Sequence, residues 1–261
     1  MTIYQRDNEN RRRKRSPGRS ASRLFLDAPL TGDEVVIGTR EAHYLSHVLR
    51  LKTGSDLVVF NGRGQERRAT VKTLAKRRPQ LSLTDVLTPL PEPTVELVLI
   101  QSLIKSDAMD TVVQKATELG VGKIHAVRTD FSVIKLDQER GARRMAHWRK
   151  IAQSACEQSQ RHYTPTIEVA SSLADCIDTL PVDSLRVLFL NGSKLSPATA
   201  THTAAKICLA IGPEGGFSPP EIALMADRNF LTVGMGPRIL RAETAAIAAC
   251  SLAQHLWGDL G

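Results

Sequence analysis

Ile211-Gly212-Pro213-Glu214-Gly215-Gly216-Phe217-Ser218-Pro219-Pro220-Glu221-Ile222 is the stretch on which the reading of this chain turns. The apolar run 207–211 leads into it and reads as a buried strand. Ser218 suits an N-cap, Pro219 the first helical position, and Glu221 completes a capping box. Gly215 and Gly216 therefore fall just before a helix, where bare backbone can approach a ligand closely. A second segment has the same design: Gly236-Pro237-Arg238-Ile239-Leu240-Arg241-Ala242-Glu243-Thr244-Ala245 follows the strand-like run 230–233 and opens an alanine-rich helix. Two such loops place a ligand outside the carboxyl ends of a parallel sheet. Neither is a P-loop, since no Gly-Lys-Ser/Thr follows, and no Gly-x-Gly-x-x-Gly dinucleotide fingerprint is present.

Outward from these loops the pattern alternates. Residues 95–100, 124–127, 167–169, 186–190 and 206–211 read as strands. Helices are expected over 107–119, with Met109, Val112, Val113, Ala116 and Leu119 on one face, and over 139–161, with Met145, Trp148, Ile151, Ala152 and Ala155 as the core stripe. Gly120 closes the first of them. Such alternation predicts an α/β fold with a largely parallel sheet covered by helices over 95–261.

The stiff Pro89-Leu90-Pro91-Glu92-Pro93 segment marks a linker over 89–94. Before it, 23–88 reads as a compact β domain, with strands near 23–26, 34–37 and 56–60 and a helix over 40–51 stopped by Gly54. Asn61-Gly62-Arg63-Gly64 is a hairpin turn into the return run 67–73. Residues 1–22, with Arg11-Arg12-Arg13-Lys14-Arg15, have no apolar pattern to bury and read as a disordered basic tail, either an aid to RNA capture or simply solvated.

Charge is unevenly divided. Residues 1–22 carry seven basic and two acidic side chains, 23–90 eleven and seven, and 91–261 seventeen and eighteen, giving +5, +4 and −1 within the total of +8. Attraction to a nucleic acid must therefore come largely from the N-terminal third. No apolar run approaches the ~20 residues of a membrane span, and the N-terminal segment lacks the apolar stretch of a secretory signal. Cys156, Cys176, Cys208 and Cys250 are too scattered for a CxxC site and read as buried free thiols of a cytoplasmic protein. His43 and His47, four apart on a helix, lack a third ligand, so they read as surface or packing residues and no metal is expected.

Taken in order, the two glycine loops resemble those of the SPOUT class of RNA methyltransferases, and within it the bacterial 16S ribosomal RNA uridine-N3 methyltransferase family. Lys115-Ala116-Thr117-Glu118-Leu119-Gly120-Val121 is similar to that family's motif after its first catalytic strand, and Ala155-Cys156-Glu157-Gln158 with Arg161 to its central helix. His43, Val48-Leu49-Arg50 and Phe60-Asn61-Gly62 fit its small N-terminal domain. The resemblance spans all but about the first 22 residues. It implies a PUA-like barrel, a C-terminal trefoil knot, S-adenosyl-L-methionine (SAM) as methyl donor, a homodimer, and 16S rRNA within the small subunit or a late assembly particle as partner. The knot comes from resemblance alone, since topology rules disfavour it. The cofactor-binding residues so implied are Leu190, Ile211, Gly212, Glu214, Gly215, Gly216, Met235, Gly236, Ile239 and Leu240.

Uridine N3 is protonated at neutral pH, so methylation there requires an acceptor for the proton and a cation for the charge left on O2 and O4. Arg241 and Glu243, at the start of the last helix, suit these two roles. Glu157 and Arg161, at i and i+4, are either a structural ion pair or part of the site, with Arg161 read as an RNA or substrate contact. Arg23, Arg50, Arg67 and Arg68 are the RNA-contact candidates. Ribose 2′-O-methyltransferases of the class usually carry Ser-Leu-Asn where this chain has Arg241-Ala242-Glu243-Thr244, which favours base methylation over ribose methylation. A non-catalytic RNA-binding assembly factor with a relic SAM pocket is the third reading.

Overall fold

A computed structural model describes residues 22–75, 78–88, 90–134, 138–200 and 205–261. The basic tail except Ser22, together with Lys76, Arg77 and Pro89, lies outside the described residues. Two compact units are present: 31–59 and 67–85 with the strand residues before Phe25 form the smaller, and Phe25–Leu30, Phe60–Glu66 and Val86–Gly261 the larger.

Five strands, β1 (Arg23–Phe25), β2 (Glu34–Val36), β3 (Asp56–Phe60), β4 (Glu66–Thr73) and β5 (Gln80–Val86), form one sheet in the order β1-β3-β4-β5-β2. Alternate residues point to its core: Leu57 and Val59, Ala69 and Val71, Leu81 and Leu83 are all buried. Strand β5 has no counterpart in the sequence reading, because Ser82, Thr84 and Asp85 dilute its apolar residues. The helix α1 (Thr39–His43) runs straight into a π-helical turn, Tyr44–Val48. It ends at Arg50, whose φ of 56° is left-handed, and not at Gly54 as expected.

In the larger unit six strands pair in parallel throughout: β6 (Glu96–Ser102), β7 (Val121–Val127), β8 (Thr166–Ala170), β9 (Leu185–Phe189), β10 (Lys206–Ile211) and β11 (Phe230–Val233). Their order is β11-β9-β10-β6-β7-β8. The helices are α2 (Ser106–Glu118), α3 (Gln138–Ser159), α4 (Leu173–Asp178), α5 (Pro219–Asp227) and α6 (Ala242–Trp257). Residues on β6 and β10 alternate between two cores. Leu97, Leu99, Ile207, Leu209 and Ile211 join Met109, Val112 and Ala116 of α2, Trp148 and Ala152 of α3, and Ala246 and Ala249 of α6. Val98, Ile100, Cys208 and Ala210 join Cys176 and Ile177 of α4 and Met225 of α5. A sheet buried on both faces explains why its strands read as continuous apolar runs. Each buried aliphatic side chain of α2 contributes roughly 1.5–3 kcal/mol over leaving it exposed.

The four cysteines are free and buried. Burial pushes the Cys176 and Cys250 thiols up to about 12, so they are un-ionised packing groups. Helix α3 stops at Ser159, and Gln160 turns left-handed at φ 63°. Arg161, expected as the last residue of a helix over 139–161, therefore lies beyond it. Where β11 ends, the Gly234 amide donates to Leu195 O at 2.9 Å, and a Cβ at Gly234 would sit 2.1 Å from Ser193 O. Only glycine fits this crossing of two chain segments.

Candidate active site

The sheet order brings the carboxyl ends of β9, β10 and β11 side by side, so the loops that follow them converge. They enclose a cavity of about 540 Å³. All ten residues expected to hold the cofactor line it, from Leu190 through the 211–216 loop to Leu240. Phe189 and Phe217 add apolar wall, and Asn191 and Arg238 add polar groups.

The 212–217 loop is held by its helix. The Ser218 amide donates to Glu221 Oε2 at 2.8 Å, and Ser218 Oγ accepts from the Glu221 amide at 3.4 Å, which is the expected capping box. Glu221 does more than cap α5. Its Oε1 accepts the Asp130 amide at 2.9 Å, while Ser218 Oγ donates to Asp130 Oδ2 at 2.5 Å. The loop after β7 is thereby pinned against the glycine loop, and Phe131 packs beside Gly215. Gly216 at φ 74° and Gly236 at φ 91° take left-handed backbone that disfavours a side chain, and a Cβ on either would project into open space.

Arg241 is the N-cap residue of α6, with Glu243 in that helix's first turn. Arg241 and Glu214 line the 540 Å³ cavity and also a second one of similar size, which Glu243 lines with Lys105, Asp107, Ala108 and Thr111 of the α2 entry. Among the described residues no group of three or more His, Cys, Asp or Glu side chains is placed to hold a metal ion.

Comparison with known proteins agrees with this geometry. The RNA methyltransferase domain family matches residues 91–254, and the RNA methyltransferase PUA domain family matches 36–84. A crystal structure of ribosomal RNA small subunit methyltransferase E from Neisseria gonorrhoeae, bound to S-adenosyl methionine, is 31% identical with a TM-score of 0.87. The match covers 93% of this chain and 100% of that one. The chain belongs to the ribosomal RNA small subunit methyltransferase E family. The Synechocystis sp. member is 30% identical over 220 residues, covering 82% of this chain and 71% of the relative. The Bacillus subtilis member is 26% identical over 230 residues, covering 85% and 87%.

Several residues expected at the site of this family member lie elsewhere. Arg161 is buried, 9% exposed. Its Nη1 donates to Thr117 O and Val121 O at 2.8 and 3.0 Å, and Nη2 to Glu92 Oε2 at 2.7 Å. Glu157 Oε1 accepts the Phe25 amide at 2.8 Å. Neither lines these two cavities, and within this chain both bond to backbone groups. Arg23 is likewise buried, which removes it from the open basic surface. Arg67 spends its guanidinium on Thr84 O and Gly32 O. Arg50 is exposed, and exposed Arg68 makes a loose 3.7 Å pair with Asp85, so these two candidates remain presented to solvent.

Some lining residues had a readable signal. Phe189 ends a strand that lies beside both glycine-loop strands, and Asn191 comes two residues later. Lys105, Asp107 and Thr111 had none, because only strand order places the end of β6 beside β10, over 100 residues away in sequence.

Proposed function

We propose that this chain transfers a methyl group from SAM to N3 of a uridine in the decoding region of 16S rRNA. The observation that carries this reading is the cavity at the ends of β9, β10 and β11, lined by all ten expected donor-binding residues in a fold like that of a SAM-bound family member. The cavity suits the donor. Its volume lies within the ~300–1,000 Å³ of small-molecule sites. Glycine backbone and apolar wall match an adenine and the carbon chain that flanks the sulfonium, and no side chain fills the space before Gly216 and Gly236. When bound, SAM supplies an activated methyl carbon.

The chain's own groups have the remaining tasks. Leu190, the 211–216 loop and 235–240 hold the donor. Glu243 accepts the N3 proton, and Arg241 at the junction of the two cavities stabilises the uridinate charge. The domain reading has 23–88 as the PUA-like RNA platform, 89–94 as linker and 95–261 as the methyltransferase domain. The crossing at Gly234 supports a knotted C-terminal segment. Small subunits or late assembly particles are the proposed substrate, acted on by a cytoplasmic homodimer. No helix among the described residues is long and apolar enough to cross a membrane.

The test is nucleoside digestion and mass spectrometry of small subunits incubated with the protein and SAM. N3-methyluridine is expected; a methyl group on ribose or another base would refute the reading, as would SAM binding without transfer. Arg241→Ala should lower kcat by ~10²-fold while leaving the SAM Kd nearly unchanged.

A further inference from the structure

The second cavity brings together five charged side chains: Lys105, Asp107, Glu214, Arg241 and Glu243. Opposite charges that line one surface space can pair where they come within reach. They do so elsewhere on this chain, as Lys115 with Glu118, Lys123 with Glu168 and Lys206 with Glu96. None of the five forms an ion pair within 4.0 Å among the described residues, although they line one space of about 540 Å³. They surround a volume instead of neutralising one another. Lys105 is also misplaced by local rules. It is the N-cap residue of α2 and provides no side-chain cap, where a polar acceptor is preferred and a cation opposes the helix dipole. The helix itself gives no reason for a lysine at that position.

The charge set selects a ligand. Two cations and three carboxylates leave the lining net negative, which disfavours a run of phosphates. They suit a neutral group with acceptors flanking an acidic N–H, and the Watson–Crick edge of uracil is O2, N3–H and O4. A carboxylate can take the N3 proton while cations meet the carbonyl oxygens. Cytosine would instead turn an N3 lone pair toward a carboxylate, so the same lining rejects it. Glu214 and Arg241 border both cavities, which puts this seat next to the donor.

We propose that Lys105 is a substrate-contacting residue: its ammonium binds a carbonyl oxygen of the target uracil and, with Arg241, stabilises the charge left when the N3 proton passes to a carboxylate of the second cavity. This rests on the uridine-N3 reading above.

The experiment compares full-length wild type, Lys105→Ala and Lys105→Arg on unmethylated small subunits. Lys105→Ala should lower kcat by ~10²-fold, with KM for the subunit and its Kd, measured by filter binding with S-adenosylhomocysteine present, within about threefold of wild type. Its SAM Kd by calorimetry should equal that of wild type, which also confirms folding. Because the lost cation favoured the uridinate, the deficit should shrink as pH rises toward ionisation of free uridine, and Lys105→Arg should recover part of the rate. An unchanged kcat overturns the proposal. So does a loss confined to KM and subunit Kd, which would make Lys105 a phosphate anchor. If wild type itself yields no N3-methyluridine, the function reading fails first, and the two failures are thereby distinguished.

Discussion

Replacing Arg161 by alanine should loosen the fold and leave the donor cavity intact. Its guanidinium donates to Thr117 O, Val121 O and Glu92 Oε2 at 2.8, 3.0 and 2.7 Å, joining the end of α2, the start of β7 and the segment before β6. Hydrogen bonds to a charged group are each worth ~1.5–3 kcal/mol, and cutting one side of a buried pair costs ~3–5 kcal/mol. The Glu92 side chain is 32% exposed, so water recovers much of that contact, and its ion-pair part must be discounted. A net loss of about 3 kcal/mol remains, mostly from the two carbonyls. For a chain of this size that is a fall in Tm of about 6–12 °C. Urea unfolding followed by fluorescence of the buried Trp148 measures it, with an unchanged m-value. Arg161→Lys keeps the charge but not the fork and should lose about 2 kcal/mol. SAM affinity by calorimetry should not move. If Arg161→Ala matched wild type within about 0.5 kcal/mol yet failed to methylate subunits, Arg161 would be an RNA contact, as its sequence context implied.

Gly216→Val should raise the SAM Kd at least ~10-fold, because valine at φ 74° costs ~1–2 kcal/mol and its methyls project into space before the loop; an unchanged calorimetric Kd would take the loop out of the site. Glu221→Gln keeps one good acceptor for two amides and should cost ~1–2 kcal/mol in urea unfolding. In a cycle with Ser218→Ala, strict additivity would mean the capping box and the Asp130 tether are not one network. Reversing Arg50 and Arg68 to Glu should weaken RNA binding and lower its salt slope by ~1 per phosphate contact, with SAM affinity constant; an unaltered slope would mean the smaller unit is not the RNA platform.

The donor site was legible in the sequence because its parts are local. A strand, a glycine turn and a capped helix follow one another within a dozen residues, twice, and each carries its own backbone requirement. Strand β5 and helix α4 were not legible, being short and part polar: only Leu81 and Leu83 of β5 are buried, and α4 spans six residues.

Arg161 shows where local reading fails. Four residues after Glu157 on an unbroken helix, it would share that residue's face. The left-handed turn at Gln160, a residue type with no marked preference for it, ends the helix two residues earlier and redirects the chain. Arg161 then reaches Thr117 and Val121, 44 and 40 residues away. What an arginine binds depends on which acceptors the fold brings to it, and Thr117 O, which takes the Gly120 amide at 3.2 Å, still has a second lone pair for the guanidinium. The same consideration separates Arg161 from Lys105 and Arg241. The first ends against backbone carbonyls that accept from it, while the other two stand at helix N-termini, where the free backbone groups are N–H donors and offer a cation nothing. Two exposed cations at helix starts that border one cavity, with no ion pair among the described residues, are free to meet an acceptor from outside the chain, and under the proposal above that acceptor is a uracil losing its proton.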